Sequence, residues 1–267
     1  MTSPVLARYW RHGLLLLIVL GSLALLMTRP PLPQDLHYHE FADQRTFFGV
    51  PNFSDVISNV PFLFVGVAGL TLCLRQGFAG VAVTWTVFFA AVSLVGIGSA
   101  YYHWHPDNNT LVWDRLPMTI GFMAMLVAIL SESIDERLGK FLLAPALIVG
   151  FASVIYWHFT DDLRFYAWVQ FMPLLVIPLV MALFRSRYSK QWYLFLALGC
   201  YALAKLFEAA DHQIFPMTRY TIAGHAIKHL FAALCCLVIL LMLKKRTEFP
   251  AKSVEPGKSP CPPAAAS

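Results

Sequence analysis

The apolar residues of this chain are gathered into long blocks, and that arrangement restricts the fold before any motif is considered. The blocks fall at 13–27, 56–74, 80–102, 113–130, 141–157, 165–184, 193–207 and 222–243. A helix needs roughly 20 apolar residues to cross about 30 Å of hydrocarbon. In that solvent every backbone N–H and C=O must pair within the chain, so such blocks are expected to be helices. The short alternating segments of a membrane β-barrel are absent from the sequence. Composition agrees: 58% of the residues are hydrophobic and 13% charged, where a soluble domain carries about a quarter charged residues. The sequence predicts an all-α polytopic membrane helix bundle.

Arg8 and Arg11 precede the first block as in a signal peptide. No A-x-A-like cleavage site follows, and the run ends in Thr28-Arg29-Pro30-Pro31, which favours an uncleaved anchor over residues 1–28. Residues 29–246 show no linker and no internal repeat and read as one core. The Pro-, Ala-, Lys- and Ser-rich stretch 247–267 reads as a disordered cytoplasmic tail. Of five cysteines, Cys73, Cys200, Cys235 and Cys236 lie in apolar blocks and Cys261 in the tail, without C-x-x-C spacing. Neither a disulfide framework nor a cysteine metal site is indicated.

The net charge of +5 is explained by placement, not by nucleic acid. With the N-terminus in the cytoplasm and eight crossings, Arg29, Arg45, Arg115, Arg164 and Arg219 fall on the far side and Lys205 and Lys228 within or beside spans. The other thirteen of the 20 lysines and arginines face the cytoplasm, as the positive-inside bias requires with both termini inside.

Polar groups inside spans are costly and mark candidate sites. Ser99 and His103 stand four apart at the end of the third block, so a helix puts them on one face. Asp114 opens the fourth block, and His225 and His229, again four apart, open the last. The topology brings all three clusters to one membrane level, on the non-cytoplasmic side. Three histidines suit a catalytic zinc, which keeps a fourth position for water and lowers the pKa of that water to about 7. His103, His225 and His229 are the expected ligands, Asp114 the acid/base and Ser99 the donor to an oxyanion. Taken singly, each has a plainer reading: Ser99 bonding a carbonyl of its own helix, Asp114 capping a helix N-terminus, the histidine pair lining a proton path. His105 is expected at the interface and Lys205 paired with Glu208. Asp211 and His212 are candidates to orient a ligand histidine, and His158, Asp161 and Asp162 are expected in a solvated loop.

At these residues the chain resembles the alkaline ceramidase family, part of a wider membrane hydrolase superfamily that includes progestin/adiponectin-type receptors. The shared pattern is S-x-x-x-H, an aspartate eleven residues on, and a distal H-x-x-x-H, here Ser99, His103, Asp114, His225 and His229. Asp114-Arg-Leu-Pro-Met118 is similar to the family's D-x-L-P-M, and 51–59 to the segment entering its first core span. The resemblance, over roughly 43–243, implies a seven-helix core holding zinc, with the first span added before it. It also implies hydrolysis of ceramide, or a related N-acyl lipid entering from the bilayer, to a sphingoid base and a fatty acid. Eukaryotic members bind calcium through an acidic D-W-x-E-x-N stretch. This chain has Asp43-Gln-Arg-Thr-Phe-Phe there, so Glu40, Asp43, Asn52 and Asp55 are left as possible calcium ligands and a bacterial-type member of the inner membrane is implied. No protein partner is expected. Rival readings are a lipid receptor with a structural metal, an ester-cleaving acyl hydrolase on the same scaffold, and an intramembrane protease. Against the last, Ala226 stands where H-E-x-x-H needs its glutamate.

Overall fold

The protein is described from a computed structural model covering residues 4–75 and 81–250; residues 251–267 of the expected tail lie outside the described residues. The helices are α1 (Pro4–Met27), α2 (Phe53–Ile57), α3 (Val60–Arg75), α4 (Val81–Trp104), α5 (Asn108–Ser133), α6 (Arg137–Thr160), α7 (Arg164–Leu183), α8 (Tyr193–Ala209), α9 (Asp211–Met217) and α10 (Gly224–Lys245). Among the described residues seven spans are long and apolar enough to cross a membrane, with α2 and α3 forming one over Phe53–Arg75. The seventh block, 193–207, returns as part of a broken element, α8 and α9 meeting at 81°. Large apolar side chains such as Leu17, Phe64, Phe141 and Leu206 point away from the bundle. Hydrocarbon tolerates such a surface and water does not. The chain is a polytopic α-helical membrane protein.

α4 and α5 form the central pair, with α6 and α7 on the α5 side and α3, α10 and α8 following round the other. α1 rests on α7, where Trp168 Nε1 donates to Ser22 Oγ at 3.0 Å. α5 begins one and a half turns earlier than the sequence suggests. Asp107 caps it, accepting from Thr110 N at 2.7 Å, while Thr110 Oγ1 accepts from Asp107 N. This capping box satisfies two N–H groups that would otherwise lack partners. Asp114 is therefore not a cap but an interior residue, and Pro117 lies in mid-helix.

A mid-helix proline supplies no N–H to the carbonyl four residues back, here that of Trp113. Against this carbonyl sits Gly98 of α4, where an added Cβ would lie 2.1 Å from Trp113 O. Glycine is what lets the two backbones approach this closely, and the next residue on each helix is Ser99 or Asp114.

One end of the bundle is covered by residues 28–52. Leu163 N donates to Leu32 O at 2.8 Å, Gln34 N to Asp161 Oδ1 at 3.0 Å and Ala42 N to Asp211 Oδ2 at 2.9 Å. Asp162, expected in a solvated loop with His158 and Asp161, is instead buried and grips Arg164. Sequence could not show this, because its partner Leu32 N (3.3 Å) lies 130 residues away. At the other end Glu132 accepts from Trp85 Nε1 at 2.6 Å and pairs with Arg246. Residues 247–249, expected to open the disordered tail, pair there with the α7–α8 turn: Ser189 N donates to Thr247 O at 2.9 Å and Phe249 N to Arg187 O at 2.8 Å.

Two outcomes are expected. Gly98→Ala should lower Tm and impair the site together, because one methyl separates Ser99 from Asp114; a variant with wild-type Tm would contradict the packing. The hydrogen bonds from Arg164 hold the Asp162 carboxyl below the usual carboxylate range. Its stabilising effect is therefore complete above the unfolded value of about 3.9 and is lost as pH falls towards the folded one. The Tm gap between wild type and Asp162→Asn should be constant above about pH 5 and narrow below about pH 4 in a thermal-melt series.

Candidate metal centre

His103 at the end of α4 and His225 and His229 in the first turns of α10 are all buried. Their ring centroids form a near-equilateral triangle with sides of 4.8, 4.8 and 5.0 Å. One ring nitrogen from each lies within 4.8 Å of the others, and among the described residues this is the one such group of metal-ligating side chains. His103 Nε2 and His229 Nε2 are 3.2 Å apart. Two nitrogens about 2.0–2.1 Å from a tetrahedral zinc would be about 3.3–3.4 Å apart. The spacing and the all-imidazole donor set fit that ion.

The surrounding bonds set which nitrogens are free. Ser58 Oγ donates to Asp55 O at 2.9 Å and so meets His229 Nδ1, 2.8 Å away, as an acceptor. With its proton on Nδ1, His229 leaves Nε2 as the available lone pair. His225 is placed by its backbone: its N–H donates to Asp211 Oδ1 at 2.7 Å. Asp211 thus orients a candidate ligand through the main chain, not the ring. His212 is exposed, with Nε2 3.0 Å from Glu40 O. His225 Nε2 lies 2.9 Å from Lys228 Nζ. An ammonium only donates, so ligation through Nε2 would exchange this contact, and Glu208, 3.0 Å from the same Nζ, is there to keep Lys228. Phe41 packs on His103 and His225 at 4.7 and 4.6 Å and covers them.

Ser99 and Asp114 are both buried. With His229 they line the polar end of a cavity of about 340 Å³, within the size range of small-molecule sites. Its remainder is largely apolar, including Phe88, Val92, Met125 and Ile239. It continues between α7 and α8, which scarcely touch apart from Gln170 Nε2 donating to Tyr201 Oη at 2.7 Å. Lys205 and Glu208 pair as expected, and Glu208 also takes Lys228 and Tyr38. His105 is exposed.

The residues considered for calcium do not assemble into a site. Asp43 is held by Arg45 through contacts of 2.7 and 2.8 Å. Asn52 turns its amide to His103 O at 2.8 Å, and Glu40 is exposed. Asp55 is fully buried with both carboxylate oxygens unpartnered, but calcium needs several oxygens and a guanidinium already occupies the neighbouring carboxylate.

Sequence reasoning missed Ser58, Phe41 and Lys228. The polar run Asn52, Ser54, Asp55, Ser58 and Asn59, entering an otherwise apolar span, was the available signal for the first. Ser58→Ala should weaken zinc affinity about 10–100-fold; metal titration of the purified variant checks this, and unchanged affinity would contradict the contact.

No curated protein matches the chain. A sequence profile described as Ceramidase matches residues 49–253, which begin after α1 and contain Ser99, His103, Asp114, His225 and His229. With that match extending over most of its length, the chain belongs to the ceramidase family.

Proposed function

We propose that the protein is a zinc-dependent membrane amidase that hydrolyses ceramide or a related N-acyl lipid to a sphingoid base or other amine and a fatty acid. The carrying observation is the buried triangle of His103, His225 and His229 beside a cavity whose wall also holds Ser99 and Asp114. A structural metal site would have no use for an adjoining carboxylate and hydroxyl in the wall of a largely apolar cavity, which favours the enzyme over the receptor reading.

His103, His225 and His229 would hold the zinc, which when bound supplies a Lewis acid and an acidified water. Hydrolysis breaks the amide C–N bond, adds the oxygen of water to the acyl carbon and delivers a proton to the leaving nitrogen. Asp114 takes the proton from water and passes it to that nitrogen. As an oxyanion donor Ser99 points its O–H at the substrate oxygen. The apolar cavity binds the acyl chain and excludes water from it. The gap between α7 and α8 supports entry from the bilayer.

The site end is read as non-cytoplasmic, with both termini inside and the bacterial inner membrane as location. The lysine and arginine distribution supports that orientation.

Purified zinc-loaded protein should release fatty acid from a fluorescent N-acyl sphingoid substrate. His225→Ala should abolish turnover, Asp114→Asn reduce kcat by about 10²–10⁴ and Ser99→Ala by about 10²–10³. Undiminished turnover in His225→Ala would refute the assignment. A panel of matched amide and ester lipids separates amidase from esterase.

A further inference from the structure

Arg115 follows Asp114 on α5 and was counted from sequence among the basic residues facing the non-cytoplasmic solution. It is instead 5% exposed and lines the same cavity. Its guanidinium lies 4.1 Å from the ring centroid of Trp157, 4.6 Å from that of Tyr166 and 5.7 Å from that of Tyr38. Rings stabilise a cation through its faces and leave the N–H edges for hydrogen bonding. One edge is used: Nη2 donates to Gln34 Oε1 at 2.6 Å. Nη1 is buried and has no partner.

The other arginines in ion pairs are Arg45, Arg164, Arg187 and Arg246, each holding a carboxylate. Arg115 makes no ion pair among the described residues. Nor is the deficit made up within the cavity wall, where Asp114 and Glu208 face Arg115, Lys205 and Lys228. Glu208 is already taken by both lysines, and Asp114 makes no ion pair among the described residues. A buried guanidinium with a free edge in a wall of excess positive charge is a built receptor for an anionic, in-plane acceptor, which for a planar fork is a carboxylate. Ceramide carries no such charge.

We infer that Arg115 selects N-acyl lipids whose amine portion bears an acid group, N-acyl amino acids being the simplest, by receiving that carboxylate beside the amide presented to Asp114. This deepens, and for its catalytic arm rests on, the amidase reading.

The test compares N-oleoylglycine with N-oleoylglycinamide, which share chain and scissile amide and differ in charge. In metal-free full-length protein the acid should raise Tm more than the glycinamide, and Arg115→Gln should erase the difference. In zinc-loaded protein the acid should be preferred at least about tenfold in kcat/KM, equivalent to about 1.4 kcal/mol, and Arg115→Gln should close that gap mainly through KM. Turnover of the glycinamide by the variant certifies its fold. Should Arg115→Gln fail to fold, Arg115→Lys keeps the charge without the fork: a reduced acid preference supports the inference and an undiminished one overturns it. Equal Tm shifts by the two ligands in wild type also overturn it, as does oleate matching N-oleoylglycine, which would assign Arg115 to released fatty acid. An acid-selective Tm shift with no cleavage of either amide would sink the amidase reading and leave the carboxylate site standing.

Discussion

The site depends on a carbonyl that its own helix cannot satisfy. Pro117 withholds the N–H that Trp113 O would otherwise receive, and Gly98 brings α4 against that same carbonyl. The contact fixes the α4–α5 separation and register at one point. Ser99 and Asp114, the next residues on the two helices, are thereby brought to one cavity wall, and His103, one turn further along α4, is carried to the level where α10 begins. A proline and a glycine, both unfavourable in a helix interior, thus assemble groups from two helices because each relaxes a constraint that the other exploits.

The second constraint comes from outside the spans. Residues 28–52 cover the site end through Phe41 on two imidazoles, Asn52 on the His103 carbonyl and Gln34 on Arg115. Asp161, Asp162 and Asp211 anchor this segment by accepting its backbone N–H groups. At the end of a bundle such bonds are shielded from water on one side only, so carboxylates, which accept strongly, suit the task better than neutral groups.

The spans and the three histidines were legible because each is a local pattern. A run of apolar residues reports a crossing, and spacing of four reports a shared face. Alternating direction then carries the clusters to one end. What sequence could not report were partners remote along the chain. Asp162 looks like any loop aspartate until Leu32 is beside it, and Arg115 like any interfacial arginine until Trp157 and Tyr166 enclose it. The start of α5 was misplaced for a different reason. Asn108, Asn109 and Thr110 are polar, and an apolar-block reading discards them, although Asp107 and Thr110 form the stronger signal of a capping box. Ser58 was hidden by its chemistry, since a serine near a break between helices usually serves the backbone, and here it serves both Asp55 O and a ring nitrogen.

The gap between α7 and α8 has a consequence for how occupancy of the cavity is counted. A mouth that opens sideways into hydrocarbon exchanges with molecules already dissolved in the leaflet, so its loading follows their mole fraction in the membrane and not their molarity in buffer. Adding water leaves that ratio unchanged for a strongly partitioned amphiphile, whereas adding inert carrier lipid lowers it. On the proposed entry between α7 and α8, the leaflet is the solvent in which affinity for this protein is defined.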